Sequence, residues 1–200
     1  MRYEDVIQRQ NDYKTKVTGD IFQGMYIKEK LVEFRKQLFF DGIIGIYLPN
    51  DFIDIPLELA KLKYPSENRP QIMKMSLTGE VNVLMNLLPV DLRGKNILDM
   101  RDTFKTILHN TQPSNIFFEK DMIEIVTGDN GSKLPLGWFD YISYVLDGQM
   151  YNMVGCMSVG DQLLHIVINS KASEGDIWKE VALQIFSSIS IEKREGRKCC

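Results

Sequence analysis

The chain of 200 residues contains little cysteine and no long apolar segment. Its three cysteines, Cys156, Cys199 and Cys200, are too few for a disulfide framework, which favours a reducing compartment. The N-terminal residues lack the apolar core of a signal peptide, and no apolar run approaches the ~20 residues that a membrane helix needs. We therefore expect a cytoplasmic protein that does not bind membranes.

The chain also lacks an excess of either charge and lacks the motifs of nucleotide or metal chemistry. The formal net charge is −3 with both signs interspersed, so we expect no binding of nucleic acid. No glycine-rich phosphate-binding motif occurs. The two histidines, His109 and His165, lie far apart and have no metal-ligand spacing. We expect neither a cofactor nor a metal ion.

Apolar runs joined by short turn sequences predict an antiparallel sheet built from hairpins. The turn sequences are Asp41-Gly42, Thr78-Gly79, Asp147-Gly148 and Gly160-Asp161. Two further strands are predicted at 115–120 and 122–128, and a loop is predicted at 129–137.

Three amphipathic segments between the strands predict helices, and the fold class is therefore α+β, a sheet with helices packed on its faces. The predicted N-terminal caps are Asp54, Asn96 and Ser173. The buried face of the second helix is predicted to comprise Ile97, Met100, Phe104, Ile107 and Leu108, with Asp99 and Asp102 facing solvent. The buried face of the third is predicted to comprise Trp178, Val181, Ala182, Ile185 and Ile189.

The Gly160-Asp161 turn also predicts a strand register. A two-residue loop places Val159 opposite Gln162, and continuing the ladder places Cys156 opposite His165, with Cβ atoms about 5 Å apart. One side of this hairpin is strongly apolar and should lie under the helix that carries Trp178. The other side is mixed, which indicates partial cover or a shallow concave surface.

The pair Cys156 and His165 is the candidate for catalysis, because an imidazole can convert a thiol into a nucleophilic thiolate. No acid is predicted to orient the imidazole, since Asp140 falls on the other face of the sheet. Two ordinary side chains on a partly buried sheet are the simpler interpretation. The alternative function is a small thiol-dependent hydrolase or transferase.

Aromatic residues surround the third predicted hairpin, namely Phe139, Tyr141, Tyr144 and Tyr151. They could form the floor of a pocket or a docking surface, although cross-strand packing is the commoner explanation for such rings. At the C-terminus, Cys199 and Cys200 follow a basic segment. We interpret residues 192–200 as a flexible tail rather than a lipidation signal.

The order of these elements resembles the PsbP/Mog/DcrB superfamily. The resemblance rests on "GIIGIYLPNDFIDI", "YPSENRPQIM", "SLTGEVNVLMNLL" and "DIWKEVALQIFSSISI". It covers about residues 35–191 and implies a bacterial member with an α/β/α sandwich. The predicted organisation is an N-terminal arm at 1–30, one domain at 31–191 and the tail.

Members of this superfamily are mostly adaptors and binding proteins without catalytic residues, so the resemblance implies a protein partner. We expect a monomer or a weak dimer. In the members that bind the Ran GTPase, an acidic connector meets the partner. The corresponding segment here, Pro65–Gln71, keeps one acid and gains an arginine and a second proline. Binding of Ran is therefore not implied, and the predicted partner-binding residues are Glu67, Asn68 and Arg69.

Overall fold

The computed structural model describes residues 17–90, 96–127, 132–146 and 148–192. The strands are β1 (Thr18–Asp20), β2 (Gly24–Ile27), β3 (Lys30–Val32), β4 (Phe34–Phe39), β5 (Ile44–Pro49), β6 (Ile53–Asp54), β7 (Ile72–Met75), β8 (Asn82–Pro89), β9 (Ile116–Thr127), β10 (Ser132–Val145), β11 (Gly148–Val159), β12 (Gln162–Lys171) and β13 (Ser190–Ile191). The helices are α1 (Leu57–Lys63), α2 (Ile97–Thr111) and α3 (Gly175–Ser187), the last preceded by a 3₁₀ turn at Ala172–Glu174. No helix within the described ranges is long and apolar enough to cross a bilayer.

An antiparallel sheet of seven strands forms the centre of the molecule. Its strand order is β6-β7-β8-β12-β11-β10-β9. Helix α3 packs on one face, and α1 and α2 pack on the other. The predicted α+β class, with helices on both faces of a hairpin sheet, is confirmed.

The β11–β12 hairpin has the predicted register. Val159 lies opposite Gln162, and Cys156 lies opposite His165. Gly160 has a φ of +61°, a left-handed conformation that glycine adopts without steric cost. The predicted β10–β11 hairpin also forms, since Val145 pairs with Gly148, although Asp147 lies outside the described residues.

Two smaller sheets of three strands extend the structure, with the orders β13-β5-β4 and β1-β2-β3. The predicted β4–β5 hairpin turns through Phe40, Asp41 and Gly42, all with positive φ. Met25 of β2 and Ile21, in the turn between β1 and β2, are buried in the same core as α3. The boundary at residue 30 stays a prediction, and residues 1–16 and 193–200 lie outside the described part of the chain.

Helix α3 covers the apolar side of β11 and β12, as predicted. Trp178, Val181, Ala182 and Ile185 of its predicted inner face are buried, as are Ile177 and Phe186, and Ile189 is buried just beyond the end of the helix. Gly155 lies directly beneath this helix, because a Cβ atom there would stand 3.1 Å from ring carbons of Phe186. Each large apolar side chain buried in this way stabilises the fold by about 1.5–3 kcal/mol.

Helix α2 covers the mixed side of the sheet. Its predicted cap is confirmed, because the Asn96 side chain accepts a hydrogen bond from the Leu98 N–H at 3.0 Å. The predicted burial of Ile107 is wrong, since that side chain is 51% exposed and Arg101 is buried instead. The Arg101 side chain lies over Gly137, and its guanidinium donates to the Asp121 carbonyl at 3.0 Å.

The predicted caps of α1 and α3 are wrong. Asp54 lies in β6 and pairs with Lys74 at 2.8 Å, while Pro56 occupies the N-cap position of α1 and provides no side-chain hydrogen bond. Ser173 lies in the 3₁₀ turn, and α3 begins after Glu174. Helix α1 ends at Lys63, as expected from the proline at 65.

The strand pattern differs from the prediction around β9 and β10. The two strands predicted at 115–120 and 122–128 form the single strand β9, whose pairing with β10 shifts between Phe139 and Tyr141. The loop predicted at 129–137 is wrong from residue 132 onward, because β10 begins at Ser132, and residues 129–131 lie outside the described part of the chain. Pro135 is tolerated there because β11 begins to pair with β10 only at Leu136.

Candidate functional site

The thiol of Cys156 is buried between α2 and the central sheet. Its side chain is 1% exposed, and the S–H donates to the carbonyl of Gly137, with a sulfur-to-oxygen distance of 3.6 Å. Burial raises the pKa of the thiol to about 12, and the nearby positive charge of Arg101 offsets this only in part. The sulfur is therefore a neutral thiol at physiological pH.

His165 lies beside Cys156 on β12, underneath Phe104 of α2. The centroids of the two rings are 4.9 Å apart. Burial lowers the pKa of the imidazole to about 4. Within the described ranges no carboxylate is hydrogen-bonded to the imidazole, and Asp140 lies on the opposite face of the sheet, paired with Met153.

The structure thus brings the two catalytic candidates together but places both where neutral forms are favoured. A nucleophilic cysteine requires a thiolate, which neighbouring positive charge stabilises and apolar burial disfavours. The arrangement fits packing of α2 against the sheet, since Cys156 forms an apolar cluster with Ile97 and Leu163.

The predicted partner-binding residues lie in the connector between α1 and β7. Glu67 and Asn68 are exposed, while Arg69 is half-buried. The Arg69 guanidinium donates to the Ser66 carbonyl at 3.0 Å, and the Asn68 N–H donates to the Ser66 hydroxyl at 3.2 Å. These local hydrogen bonds stabilise a compact turn that directs Glu67 and Asn68 into solvent.

Gln71 anchors the end of the connector to the central sheet. Its N–H donates to the Asn86 side chain at 3.0 Å, and its side-chain oxygen accepts from the Leu87 N–H at 2.6 Å. These bonds extend the β7–β8 ladder, whose last described pair is Ile72 with Met85. The connector is therefore exposed but fixed at its β7 end.

The predicted aromatic cluster divides between the two faces of the sheet. On the α2 side, Tyr141 stacks with Phe139 at a centroid distance of 6.1 Å and also stacks with Phe117, whose ring is tilted relative to that of Phe139. Tyr151 lies on the α3 side against Gly175. Tyr144 is 53% exposed, so the four rings do not form the floor of one pocket.

A buried cluster that the sequence analysis missed surrounds Asp140. The carboxylate accepts from the Glu119 N–H at 2.7 Å and from the Tyr151 hydroxyl at 2.9 Å, and it lies 3.1 Å from the Lys179 ammonium. Burial, followed by the Asp140 charge, raises the pKa of Tyr151. Burial opposes the charge of Lys179, but hydrogen bonds to Glu119 and Asp140 outweigh it and raise that pKa. The sequence signal for this cluster was Asp140 itself, an acidic residue at a position of β10 whose side chain points toward the apolar core.

No group of metal-ligating side chains assembles among the described residues. His109 is exposed in the last turn of α2, and its ring lies 6.0 Å from that of Phe117. Asp102 is occupied by ion pairs with Arg101 and Lys120, and the hydrogen bond from Arg101 lowers the pKa of its carboxyl group.

Comparison with known proteins shows similarity in structure alone. No family model matches the chain, and no curated protein matches it significantly. The solution structure of cyanobacterial PsbP from Synechocystis sp. PCC 6803 superposes with a TM-score of 0.56 at 12% identity, over 80% of this chain and 92% of that one. The chain has a PsbP-like fold.

Two other solved structures are similar at lower scores. A Pseudomonas aeruginosa protein of unknown function, described as a putative regulator, has a TM-score of 0.47 and 8% identity, with coverage of 82% of this chain and 99% of that one. LpqN of Mycobacterium tuberculosis, described as involved in cell envelope biogenesis, has a TM-score of 0.45 and 9% identity, with coverage of 84% and 95%.

Proposed function

We propose that this protein is a non-catalytic adaptor domain that binds another protein through the connector Pro65–Gln71. The observation that carries the proposal is the geometry of the connector, which is exposed at Glu67 and Asn68 yet tied to β8 through Gln71. A segment that is ordered before binding loses less conformational entropy when a partner docks.

The PsbP-like fold supports this proposal only at the level of architecture. The finer assignment to the Mog and DcrB branches of the superfamily, and a cytoplasmic location, belong to the same proposal. The enzyme alternative has weaker support, because burial raises the pKa of the Cys156 thiol and lowers that of the His165 imidazole.

Site-specific photocrosslinking from the connector tests the proposal. Asn68 is exposed, so a benzoylphenylalanine at that position should crosslink a defined protein in a lysate of the native cells. The same amino acid at Asp161, at the exposed tip of the β11–β12 hairpin, serves as the matched control.

A second arm of the experiment combines the crosslinker with Glu67→Lys and Arg69→Glu. Reversing both charges should abolish the adduct formed from position 68, because charges across an interface determine partner choice. Identical adducts from positions 68 and 161, or an adduct that survives both reversals, would show that the connector is not the binding surface.

A further inference from the structure

Strand β9 ends the seven-stranded sheet on the side opposite to the connector. It is 12 residues long, and among the described residues no strand pairs with its outer edge. The Met122 N–H is bonded to the carboxylate of Asp121 at 2.8 Å, which indicates that it points away from β10. Ile116, Phe118 and Met122 are 45%, 50% and 40% exposed. Such an edge is a template for pairing with another strand.

Strand β9 pairs regularly with β10 only beyond a register shift near its N-terminal end. Pairing with β10 runs without interruption from Lys120 to Thr127, whereas it shifts next to Phe139. A bulge twists an edge strand and limits its pairing. A strand added to this edge would therefore pair with the segment that starts at Lys120.

Symmetry restricts how two copies of β9 can pair. In an antiparallel pair, hydrogen-bonded and non-hydrogen-bonded residue pairs alternate along the ladder. A two-fold axis perpendicular to the sheet must therefore pass through the centre of one residue pair, so that one residue lies opposite its own counterpart.

Charge then distinguishes the centres from 119 to 124, which keep three residue pairs on each side of the axis within the described strand. A centre at 119, 120, 121 or 124 would oppose two glutamates, two lysines, two aspartates or two glutamates. A centre at 123 leaves Glu124 opposite the apolar side chain of the partner's Met122. A centre at Met122 places Lys120 opposite the partner's Glu124, and symmetry repeats that attraction on the other side of the axis.

We propose that β9 forms a homodimer interface in which two copies of this chain pair antiparallel, with Met122 at the two-fold axis and Lys120 opposite the partner's Glu124. Within one chain, Lys120 forms an ion pair with Asp102 at 2.9 Å, and Glu124 forms an ion pair with Lys133 at 2.6 Å. Exposed ion pairs of this kind contribute little and can be shared or exchanged. The interface joins two seven-stranded sheets and leaves both connectors accessible.

Charge exchange between two variants tests this arrangement. In a dimer of the Lys120→Glu variant, two carboxylates face each other at both contacts between position 120 and the partner's position 124. In a dimer of the Glu124→Lys variant, two ammonium groups face each other at the same contacts. Each variant alone should dimerise at least ~10-fold more weakly than the unchanged chain. An equimolar mixture should dimerise again, because each variant then meets its opposite charge at both positions.

Sedimentation equilibrium at low salt, up to about 1 mM chain, provides the measurement, since weak pairing appears in this range. Lys61→Glu, which reverses an exposed charge on α1, is the matched control and should dimerise like the unchanged chain. Recovery in the mixture cannot come from the intrachain pairs, because those are not restored by mixing. An unchanged chain that stays monomeric, a single variant that still dimerises fully, or a mixture that does not recover would each overturn the proposal.

Discussion

Burial acts on Cys156 and His165 in opposite directions and favours the uncharged form of both. The thiol must lose a proton to become charged, so burial raises its pKa, whereas the imidazole must gain one, so burial lowers its pKa. A thiolate–imidazolium pair would place two charges beneath Phe104 and Ile97. The two residues are opposite each other in the ladder without being chemically activated.

We expect Cys156 to resist alkylation in the folded protein. In a chain with Cys199→Ser and Cys200→Ser, the iodoacetamide rate at Cys156 should stay negligible up to pH ~9, because its pKa is raised to about 12 and its side chain is 1% exposed. The same chain in denaturant should react with a pKa near ~8.5. A fast, pH-independent reaction of the folded chain near pH 7 would restore the enzyme alternative.

His165 should make the stability fall between pH 6.5 and about 4. Its folded pKa is lowered from 6.5 to about 4, so in this interval the unfolded chain binds one more proton than the folded chain. Stability from this residue is complete above pH 6.5 and is lost at about 1.4 kcal/mol per unit as the pH falls toward 4. Urea unfolding of the unchanged chain and His165→Gln measures it.

Comparing the two chains removes the contribution of acids that titrate in the same interval. Between pH 6.5 and about 4, the slope of the unfolding free energy against pH should be shallower in His165→Gln by about 1.4 kcal/mol per pH unit, which corresponds to one proton. Equal slopes would mean that the imidazole is already solvated in the folded state.

At the scale of elements, the sequence predicted hairpin registers better than helix ends. A two-residue turn and a period of two determine every pair of β11 with β12, including Cys156 with His165. The caps at Asp54 and Ser173 were wrong because pairing of β6 with β7 and the 3₁₀ turn displaced the helix starts. Local sequence does not contain those tertiary contacts.

The cluster around Asp140 shows the same limit. The sequence placed this residue on the face opposite to Cys156, which the structure confirms. It did not indicate that Lys179, 39 positions further along, would be its partner, nor that its carboxylate would satisfy the Glu119 N–H beside the irregularity in β9. Such contacts depend on how α3 crosses the sheet.

Asp140→Ala should destabilise the protein by about 3 kcal/mol, because it leaves the Tyr151 hydroxyl, the Glu119 N–H and the Lys179 ammonium without this acceptor. Asp54→Ala is the matched control. It removes a carboxylate that is 80% exposed from its pair with Lys74 and should cost less than about 1 kcal/mol. Urea unfolding followed by tryptophan fluorescence compares them, and equal losses would mean that the Asp140 cluster is solvated.

At the scale of the whole molecule, the three sheets share one apolar core. Met25 of β2, Ile46 of β5 and Met153 of β11 are all fully buried in the cluster that also contains α3. The Ile21 N–H donates to the Gln184 side chain of α3 at 3.0 Å. The hairpin sequences were sufficient to predict the class of fold. They did not predict that residues 18–32 pack against the main core, because the short polar strands of this segment resemble a separate arm in sequence.

Met25→Ala tests whether residues 18–32 belong to the main folding unit. If they do, removing this fully buried side chain should lower the free energy of unfolding by about 2–5 kcal/mol and leave one cooperative transition. Trp138 and Trp178, both in the main core, report that transition by fluorescence. Leu31 lies in the same small sheet and its side chain is 46% exposed, so Leu31→Ala should change the free energy of unfolding by less than about 1 kcal/mol. If both substitutions leave the tryptophan transition unchanged, residues 18–32 form an independent arm and the domain begins after residue 32.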